Sequence, residues 1–392
     1  MNVTRATFVE INLESFCHNL RSIKSLIGNN VQTMAILKAD AYGHGAIKCA
    51  HAAVKEQVNY IGVGIIQEGI ELRESGITSP ILILGGIYSN EIEDLIKYKL
   101  STSLSNSVMA TAISKQAGHA NTNIGVHIKI DTGMARLGVQ PEDFTSLLEK
   151  ITSCKNLKIE GFFTHLSSAD EEDPKTTHRQ ISIFSNIIKE LTSKSLPKII
   201  NLNKHRLFHM ANTAGLLRFP ESRFDLVRPG ISLFGSFPSP AIASVFHLLT
   251  EESKVTKLRP VMTWKTKIMQ IQTLKKGVPI SYGGSYITKK DRTRIATIPV
   301  GYADGLRRCL SNRMELLVKE TRVKQVGTIC MDMCLVDITG LPNVNIGEEV
   351  VIFGKQGNGQ IKVEELATKA NTISYEILCG VGKRVPRIYT QK

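Results

Sequence analysis

Residues 31–45, VQTMAILKADAYGHG, begin with an apolar run and continue into a polar segment that contains two glycines. The apolar run, residues 31–37, has the length of a buried strand and is too short for an ordinary helix. Lys38 follows this run directly. We therefore predict a strand over 31–37 with a lysine at its carboxyl end.

Similar apolar runs recur through the first 240 residues, and amphipathic segments with helical spacing lie between them. Strands that alternate with helices form a parallel sheet, and eight of them predict closure into a (β/α)8 barrel. The clearest helical segments are 46–58, 90–98, 140–153 and 177–193. The eight predicted strands are 31–37, 60–65, 80–84, 100–104, 123–130, 157–164, 205–210 and 224–227.

The chain changes character after about residue 240. Helical periodicity nearly disappears until residues 363–370, and alternating segments rich in Val, Ile and Thr take its place. This pattern predicts a mainly β domain. Its predicted β segments are 263–273, 294–299, 315–318, 328–336 and 349–353.

Two domains follow from this change, which also suits a chain too long for one ordinary core. We predict an α/β barrel domain over residues 1–240 and a β domain over residues 241–392. A segment with two prolines, 236–245, is predicted to be the linker. Residues 1–12 are an exception, because their strand precedes the barrel and is predicted to join the β domain.

Composition excludes several classes of protein. The 392 residues carry a formal net charge of +14, but the lysines and arginines are dispersed, as on solvated surfaces, so we expect no nucleic-acid partner. The seven cysteines are scattered and form no C-x-x-C pair, so neither a disulfide framework nor a metal site is expected. No apolar run approaches the roughly 18 residues that cross a bilayer. We see no secretory signal and expect a cytoplasmic protein without a membrane partner.

Polar side chains follow the predicted strands at their carboxyl ends, where barrel enzymes place their reactive groups. Each has an ordinary alternative by itself, since Lys38 can be a lysine that extends into solvent and His165 a core histidine. Six such groups at one end of one barrel nevertheless predict a binding site. These residues are Lys38, Arg136, His165, Asn212, Thr213 and Arg228.

The segments after the last two strands suit a phosphate group. Barrels commonly bind phosphate there through backbone N–H groups, and Thr213, Gly230 and Ile231 are placed for this. A lysine in the barrel mouth is desolvated, which makes its amine a better nucleophile. A phosphate site together with a reactive lysine predicts pyridoxal 5′-phosphate (PLP) as the cofactor.

Seven ordered motifs across both predicted domains resemble those of the bacterial alanine racemases, a family of PLP enzymes built from a barrel and a β domain. The resemblance runs from the strand near Phe8 to Arg387. The motifs are AILKADAYGHG (35–45), DTGM (131–134), RPGI (228–231), SYG (281–283), GYADG (301–305), CMD (330–332) and RVPR (384–387).

The resemblance implies a role for each matching residue. Lys38 would carry PLP, and Arg228 would face its pyridine nitrogen. Arg136 would lie near the phenolic oxygen of PLP and the substrate carboxylate, and Asp332 would support the substrate pocket. The remaining cofactor-binding residues would be Tyr42, His165, Asn212, Thr213, Gly230, Ile231 and Tyr375, and the remaining substrate-binding residues Tyr302 and Met331.

Racemisation removes the Cα proton from one face and returns a proton to the other, so two bases are needed. The resemblance implies that Lys38 acts on D-alanine and that Tyr282 acts on L-alanine. His165, linked to Arg228, would provide a favourable environment for the tyrosine. The family forms a homodimer with shared active sites, in which Tyr282, Tyr302 and Met331 would enter the barrel mouth of the other subunit.

Lys129, just before the DTGM motif, matches a position that is often carbamylated in the family. The carbamate fixes the neighbouring arginine, here Arg136.

Three alternatives remain open. The chain can act on serine, lysine or a broad set of amino acids instead of alanine alone. It can be a related decarboxylase of basic amino acids, although such enzymes place an acidic residue where Arg228 stands. It can also be a PLP carrier without activity, although such proteins lack the β domain.

Overall fold

The computed structural model describes residues 4–192, 206–252 and 255–390. The chain begins with strand β1 (Phe8–Asn12), and within the described ranges no helix is both long and apolar enough to cross a bilayer. The helices are α1 (Leu13–Ile27), α2 (Lys38–Gly43), α3 (Ala46–Lys55), α4 (Ile66–Glu74), α5 (Ile92–Lys97), α6 (Ser107–His119), α7 (Phe144–Thr152), α8 (Lys175–Thr192), α9 (Thr213–Arg218), α10 (Pro240–Glu252), α11 (Val363–Lys369) and α12 (Ser374–Cys379).

The barrel strands are β2 (Gln32–Ile36), β3 (Tyr60–Val63), β4 (Ile81–Ile83), β5 (Ser101–Leu104), β6 (Ile124–Lys129), β7 (Leu157–Phe163), β8 (Leu207–His209) and β9 (Leu226–Val227). Strands β2 to β8 are neighbours in chain order, and β9 pairs in parallel with β2. Strand β9 also meets β8, because the N–H of Asp225 donates to the carbonyl of Phe208 at 3.0 Å. The sheet therefore closes on itself, and the predicted (β/α)8 barrel is confirmed.

The second group of strands is β10 (Met262–Lys267), β11 (Gln270–Leu274), β12 (Pro279–Ile280), β13 (Tyr286–Ile287), β14 (Thr293–Ile298), β15 (Glu315–Val318), β16 (Thr321–Val326), β17 (Cys334–Asp337), β18 (Glu349–Gln356), β19 (Gly359–Ile361) and β20 (Arg387–Thr390). Strands β12 and β13 form a separate hairpin. The others form one ten-stranded sheet with β1. The mainly β character expected of the second half of the chain is confirmed.

Strand β1 lies in this second sheet rather than in the barrel. It pairs antiparallel with β10 and parallel with β20, so that Val9 lies opposite both Trp264 and Arg387. Val9 and Ile11 point into the core and are fully buried. Strand β1 therefore pairs with strands that lie more than roughly 250 residues further along the chain.

The predicted linker at 236–245 is wrong in its second half, because α10 begins at Pro240. Proline is well suited to the first position of a helix, where no intrahelical acceptor is required for an N–H and φ is already near the helical value. Ile242 and Phe246 anchor this helix in the core.

The strand predicted over 328–336 is also partly wrong, because β17 begins only at Cys334. Residues 328–333 form a loop. Its backbone groups form hydrogen bonds with neighbouring loops and not with an adjacent strand. The carbonyl of Thr328 accepts from the Ser281 hydroxyl at 2.6 Å, and that of Cys330 accepts from the N–H of Tyr302 at 3.0 Å. The segment 263–273 is likewise two strands, β10 and β11.

Two ends of predicted elements, residue 205 of the seventh barrel strand and residue 193 of a helix, lie outside the described residues. Strands β12, β13, β16, β19 and β20 were not predicted. In β16 (TRVKQV), Thr321, Arg322 and Lys324 are exposed and the buried Gln325 is polar, which leaves only two apolar residues, so the apolar signal is weak.

Candidate active site

Lys38 is the first residue of α2, a single turn with left-handed geometry. The residues from Ala39 to Tyr42 have φ between 52° and 54°, and none of them is glycine. Left-handed residues other than glycine cost roughly 1–2 kcal/mol each. Four in succession at the end of a barrel strand mark a backbone held in place by its surroundings, as is common at functional sites.

Glu68, on α4, helps to fix the conformation of this turn. Its carboxylate accepts the N–H of Ala39 at 2.6 Å and the N–H of Gly64 at 2.7 Å. It therefore connects the ends of β2 and β3. Asp40 adds a second contact by accepting the N–H of Ala46 at 2.7 Å.

The amine of Lys38 has a lowered pKa. Removal from bulk water by the surrounding protein is the main cause, and the positive charge of Arg136 is the next. The Lys38 side chain is nevertheless accessible from the barrel mouth. An accessible lysine with a lowered pKa is suited to nucleophilic and proton-transfer chemistry.

The DTGM motif forms the next part of the mouth. The Oδ1 atom of Asp131 accepts the N–H groups of Gly133, Met134 and Ala135 at 2.9–3.1 Å. Burial raises the pKa of Asp131, but these backbone donors outweigh it and the pKa is lowered. Arg136 follows this tight turn and is exposed towards the mouth.

Lys129 lies at the end of β6 with 6% of its surface exposed. Burial, followed by the charge of Arg136, lowers its pKa to about 8. Its amine lies over the ring of Phe163, 5.4 Å from the centroid. Arg136 is therefore close enough for its charge to lower the pKa of Lys129.

Arg228, directly after β9, is buried, and the four acceptors of its guanidinium are all neutral. It donates to the carbonyls of Thr164 at 2.7 Å and Met210 at 2.9 Å. It also donates to ring nitrogens of His209 at 2.8 Å and His165 at 3.2 Å. Burial lowers the pKa of Arg228 to about 9, so the side chain stays charged at neutral pH.

These contacts fix the protonation of His165. An arginine only donates, so Nδ1 of His165 must accept and its proton sits on Nε2. Burial and the charge of Arg228 hold its pKa well below the usual value, so the ring is neutral. His209 is neutral for the same two reasons. Its Nε2 lies 2.9 Å from Nδ1 of the buried His127.

A small cradle lies between the ends of β8 and β9. Thr213 begins α9 and Ile231 begins a 3-10 turn, and the first N–H groups of such turns have no acceptor inside the turn, as in many phosphate sites. The Thr213 hydroxyl accepts the N–H of Gly230 at 3.0 Å. A Cβ at Gly230 would lie 2.5 Å from the Tyr42 hydroxyl, so only glycine leaves this space open.

Two tyrosines close the cradle. Tyr42 lies on the Lys38 turn, and its ring centroid is 5.8 Å from that of Tyr375 on α12. Burial raises the pKa of both phenols, so both are neutral donors. The cradle and the reactive lysine are thus joined by a single turn of chain.

Asn212 has a structural contact that explains its position. Its side chain caps α9 by accepting the N–H of Gly215 at 2.9 Å, which fixes Thr213 at the start of that helix. Glu68, His127 and His209 were not singled out from the sequence. Glu68 follows a barrel strand by five residues, and His209 ends one, so a wider search at strand ends would have included both.

Of the sequence-predicted residues beyond residue 240, Tyr375 lies in this cluster, whereas Tyr282, Tyr302, Met331 and Asp332 do not. Tyr282, Tyr302 and Met331 have 72%, 42% and 52% of their surface exposed. The loop of Tyr282 is pinned by Thr328, whose hydroxyl donates to the Tyr282 carbonyl at 2.9 Å. Asp332 forms an ion pair with Arg384 at 2.7 Å.

A barrel mouth with a lysine of lowered pKa, a buried arginine and a hydroxyl-lined cradle, combined with a β domain, defines a class of two-domain barrel enzymes. Sequence profiles narrow this class. The profile described as "Alanine racemase, N-terminal domain" matches residues 11–238, and "Alanine racemase, C-terminal domain" matches residues 261–389. The chain belongs to the alanine racemase family.

Similar proteins agree over the full length. An alanine racemase of Halothermothrix orenii is 39% identical over 390 residues, covering 100% of this chain and 98% of the relative. "Alanine racemase 1" of Caldanaerobacter subterraneus subsp. tengcongensis is 40% identical, with 98% and 95% covered. The solved alanine racemase of Clostridium difficile 630 superposes with a TM-score of 0.90 at 35% identity, with 100% and 97% covered.

Proposed function

We propose that this protein interconverts L-alanine and D-alanine with PLP, using Lys38 and Tyr282 as the two bases. The observation that carries the proposal is the α2 turn. It holds an amine with a lowered pKa at one end and, four residues later, a phenol that forms one wall of the cradle.

The residues present fit PLP. The open space at Gly230, bounded by Thr213 and Tyr42, suits a phosphate, and Lys38 is the amine to which the aldehyde would attach. Arg228 would face the pyridine nitrogen and, as a cation at neutral pH, keep that nitrogen unprotonated. When bound, PLP makes the Cα proton of an attached amino acid acidic.

The side chains then divide the proton transfer. Arg136 would bind the substrate carboxylate, and Nζ of Lys38 would remove or return the Cα proton on the side that gives D-alanine. The Tyr282 hydroxyl would do the same on the opposite side. Neutral His165, with its proton on Nε2, would offer a donor between Arg228 and that tyrosine.

We further propose a homodimer in which Tyr282, Tyr302 and Met331 complete the partner subunit's site. Their exposure supports this, because large apolar side chains grouped at a surface often mark an interface. D-alanine made in this way would supply bacterial peptidoglycan, and a cytoplasmic location stays a prediction.

The test is to follow conversion of L- to D-alanine by the purified holoenzyme and two variants. Lys38→Ala should lose the visible absorbance of bound PLP and roughly 10⁴-fold or more of the activity. Tyr282→Phe should lose about 10²- to 10⁴-fold, the usual contribution of one acid–base group. Tyr286→Phe, in the same hairpin region, is the matched control and should keep full activity.

One further measurement separates the two bases. In deuterated water, Tyr282→Phe should still exchange the Cα hydrogen of D-alanine, because Lys38 alone can do this, without forming L-alanine. An unchanged PLP absorbance in Lys38→Ala would refute the assignment of the lysine. Assays on serine and lysine, and CO2 release from basic amino acids, test the alternative substrates and reaction.

A further inference from the structure

The turn that carries Tyr302 is built around a buried carboxylate. Asp304 ends this turn, and its side chain has 0% of its surface exposed. Its Oδ2 atom accepts the N–H of Gly301 at 3.0 Å, and its Oδ1 atom is paired with Arg5 at 2.6 Å and Arg384 at 3.0 Å. A carboxylate without water is stable only when it is paired in this way.

This turn and the Met331 loop form one unit. The N–H of Tyr302 donates to Cys330, and the N–H of Ala303 donates to Met331, both at 3.0 Å. A Cβ at Gly301 would lie 2.3 Å from the Met331 carbonyl oxygen, so the two segments are in contact. Whatever holds Asp304 therefore also holds Met331.

Arg5 reaches this unit from a distant part of the chain. It precedes β1, 299 residues before Asp304. Its second guanidinium nitrogen donates to the carbonyl of Arg384 at 2.5 Å. Arg384 has 46% of its side chain exposed and also binds Asp332, whereas Arg5 has 26% exposed and the shorter contact with Asp304.

Thr7 strengthens the same connection. Its hydroxyl lies 2.6 Å from the carbonyl oxygen of Pro299, just before the turn, and 2.8 Å from the Thr266 hydroxyl. The segment that leads into β1 therefore contacts both sides of the Tyr302 turn.

We propose that Arg5 is a positioning residue for substrate binding: through Asp304 it fixes the Tyr302 turn and the Met331 loop that, under the proposed function, complete the partner subunit's site. Arg5 does not touch the substrate in this scheme. Its effect is to keep two contact groups at the correct place, and displacement of such groups by about 1 Å can cost up to roughly 100-fold.

The test is the kinetics of the Arg5→Ala holoenzyme with L-alanine. KM should rise at least about tenfold while kcat changes little, because contacts made equally to substrate and transition state affect KM alone. Arg5→Lys, which keeps the charge but offers fewer donors, should give an intermediate KM and is the variant to measure if Arg5→Ala fails to fold. Arg322→Ala removes an exposed arginine of β16 that pairs with Glu315 and Glu365, and it should leave both constants unchanged.

Hydrogen–deuterium exchange gives a readout that does not depend on activity. Arg5→Ala should speed exchange in peptides covering 299–306 and 328–333 but not in 315–326. Asp304→Asn removes the buried charge, so adding Arg5→Ala to it should raise KM by a smaller factor than in the wild type.

The outcomes are distinguishable. An unchanged KM in Arg5→Ala overturns the inference, and so does a lower thermal stability with unchanged exchange in both peptides. If the wild type does not racemise alanine, but exchange still rises only in these two peptides, the proposed function fails while the role of Arg5 in holding the turn stands.

Discussion

The barrel mouth and the β-domain loops are opposites in how their side chains are held. Arg228 and Thr213 each have 3% of their surface exposed, and Tyr42 has 5%. Tyr282 and Met331, by contrast, expose more than half of theirs. Arg228, Thr213 and Tyr42 are packed within their own chain, whereas the side chains of Tyr282 and Met331 are exposed and only their loops are held in place.

This difference shows which half of the proposed site one chain can complete. In the barrel mouth, Arg228, Thr213 and Tyr42 already have their contacts within one chain. The β-domain loops have a fixed backbone, through Thr328 and Asp304, but their side chains contact little. Fixed loops with exposed aromatic and thioether side chains are what an interface requires.

The largest effect should come from mixing two inactive variants. Lys38→Ala and Tyr282→Phe are each nearly inactive alone. If the two regions belong to different subunits of one site, a mixed dimer has one site with both changes and one intact site. Random pairing of the co-expressed chains should then restore about a quarter of the wild-type activity.

Co-expression of two differently tagged Lys38→Ala chains is the control and should remain inactive. The mixed dimers of Lys38→Ala and Tyr282→Phe can be isolated by their tags. If they also stay inactive, both bases belong to one chain and the proposed sharing of active sites between subunits is wrong.

An intermediate effect is expected from filling the cradle in the packed region. The Cβ of Gly230→Ala would lie 2.5 Å from the Tyr42 hydroxyl, so the tyrosine must shift. Overpacking of this kind costs roughly 1–3 kcal/mol. Gly230→Ala should lower the melting temperature in thermal unfolding. It should also lose PLP absorbance faster on dialysis.

Gly340→Ala is the matched control, since a Cβ there meets no atom within 4 Å. Equal behaviour of the two variants would mean that the cradle is looser than the structure shows.

The smallest effect concerns Lys129. If CO2 forms a carbamate on its amine, this part of the barrel mouth is completed by a small molecule and not by the partner subunit. Only a neutral amine captures CO2, and the pKa of Lys129 is lowered to about 8. Its amine is protonated below this pH and neutral above it. The carbamate signal in ¹³C NMR with labelled bicarbonate should therefore grow as the pH rises through about 8, and Lys129→Gln should lack it. A signal that falls over this range contradicts the idea.

The sequence predicts the barrel because most of its strands are short apolar runs bounded by polar segments, although β5 reads STSL. It also predicts Lys38, Arg136 and Arg228, since each follows such a run and barrel geometry then places them together. The left-handed turn at Ala39–Tyr42 is different. Within ADAY only Asp40 is of a residue type that tolerates positive φ, and the conformation of the four residues is imposed by contacts such as that of Glu68.

The β domain is harder to read. Its strands carry charged residues on the open face, and the apolar letters of residues 328–333 belong to a loop whose partners lie far away in sequence. The pairing of Arg5 with Asp304 is invisible for the same reason. Local pattern identifies a strand or a strand end, but it does not identify a partner 299 residues away.

The position of β1 also bears on how the protein is made. Its neighbours are β10 and β20, and Val9 lies opposite Arg387. At roughly 5–20 residues per second, a ribosome reaches β20 tens of seconds after β1 has emerged. Until β10 is made, the barrel strands can assemble while β1 has neither neighbour. Strand β1 is thus synthesised well before both of its neighbours in the sheet and must stay unpaired until they emerge.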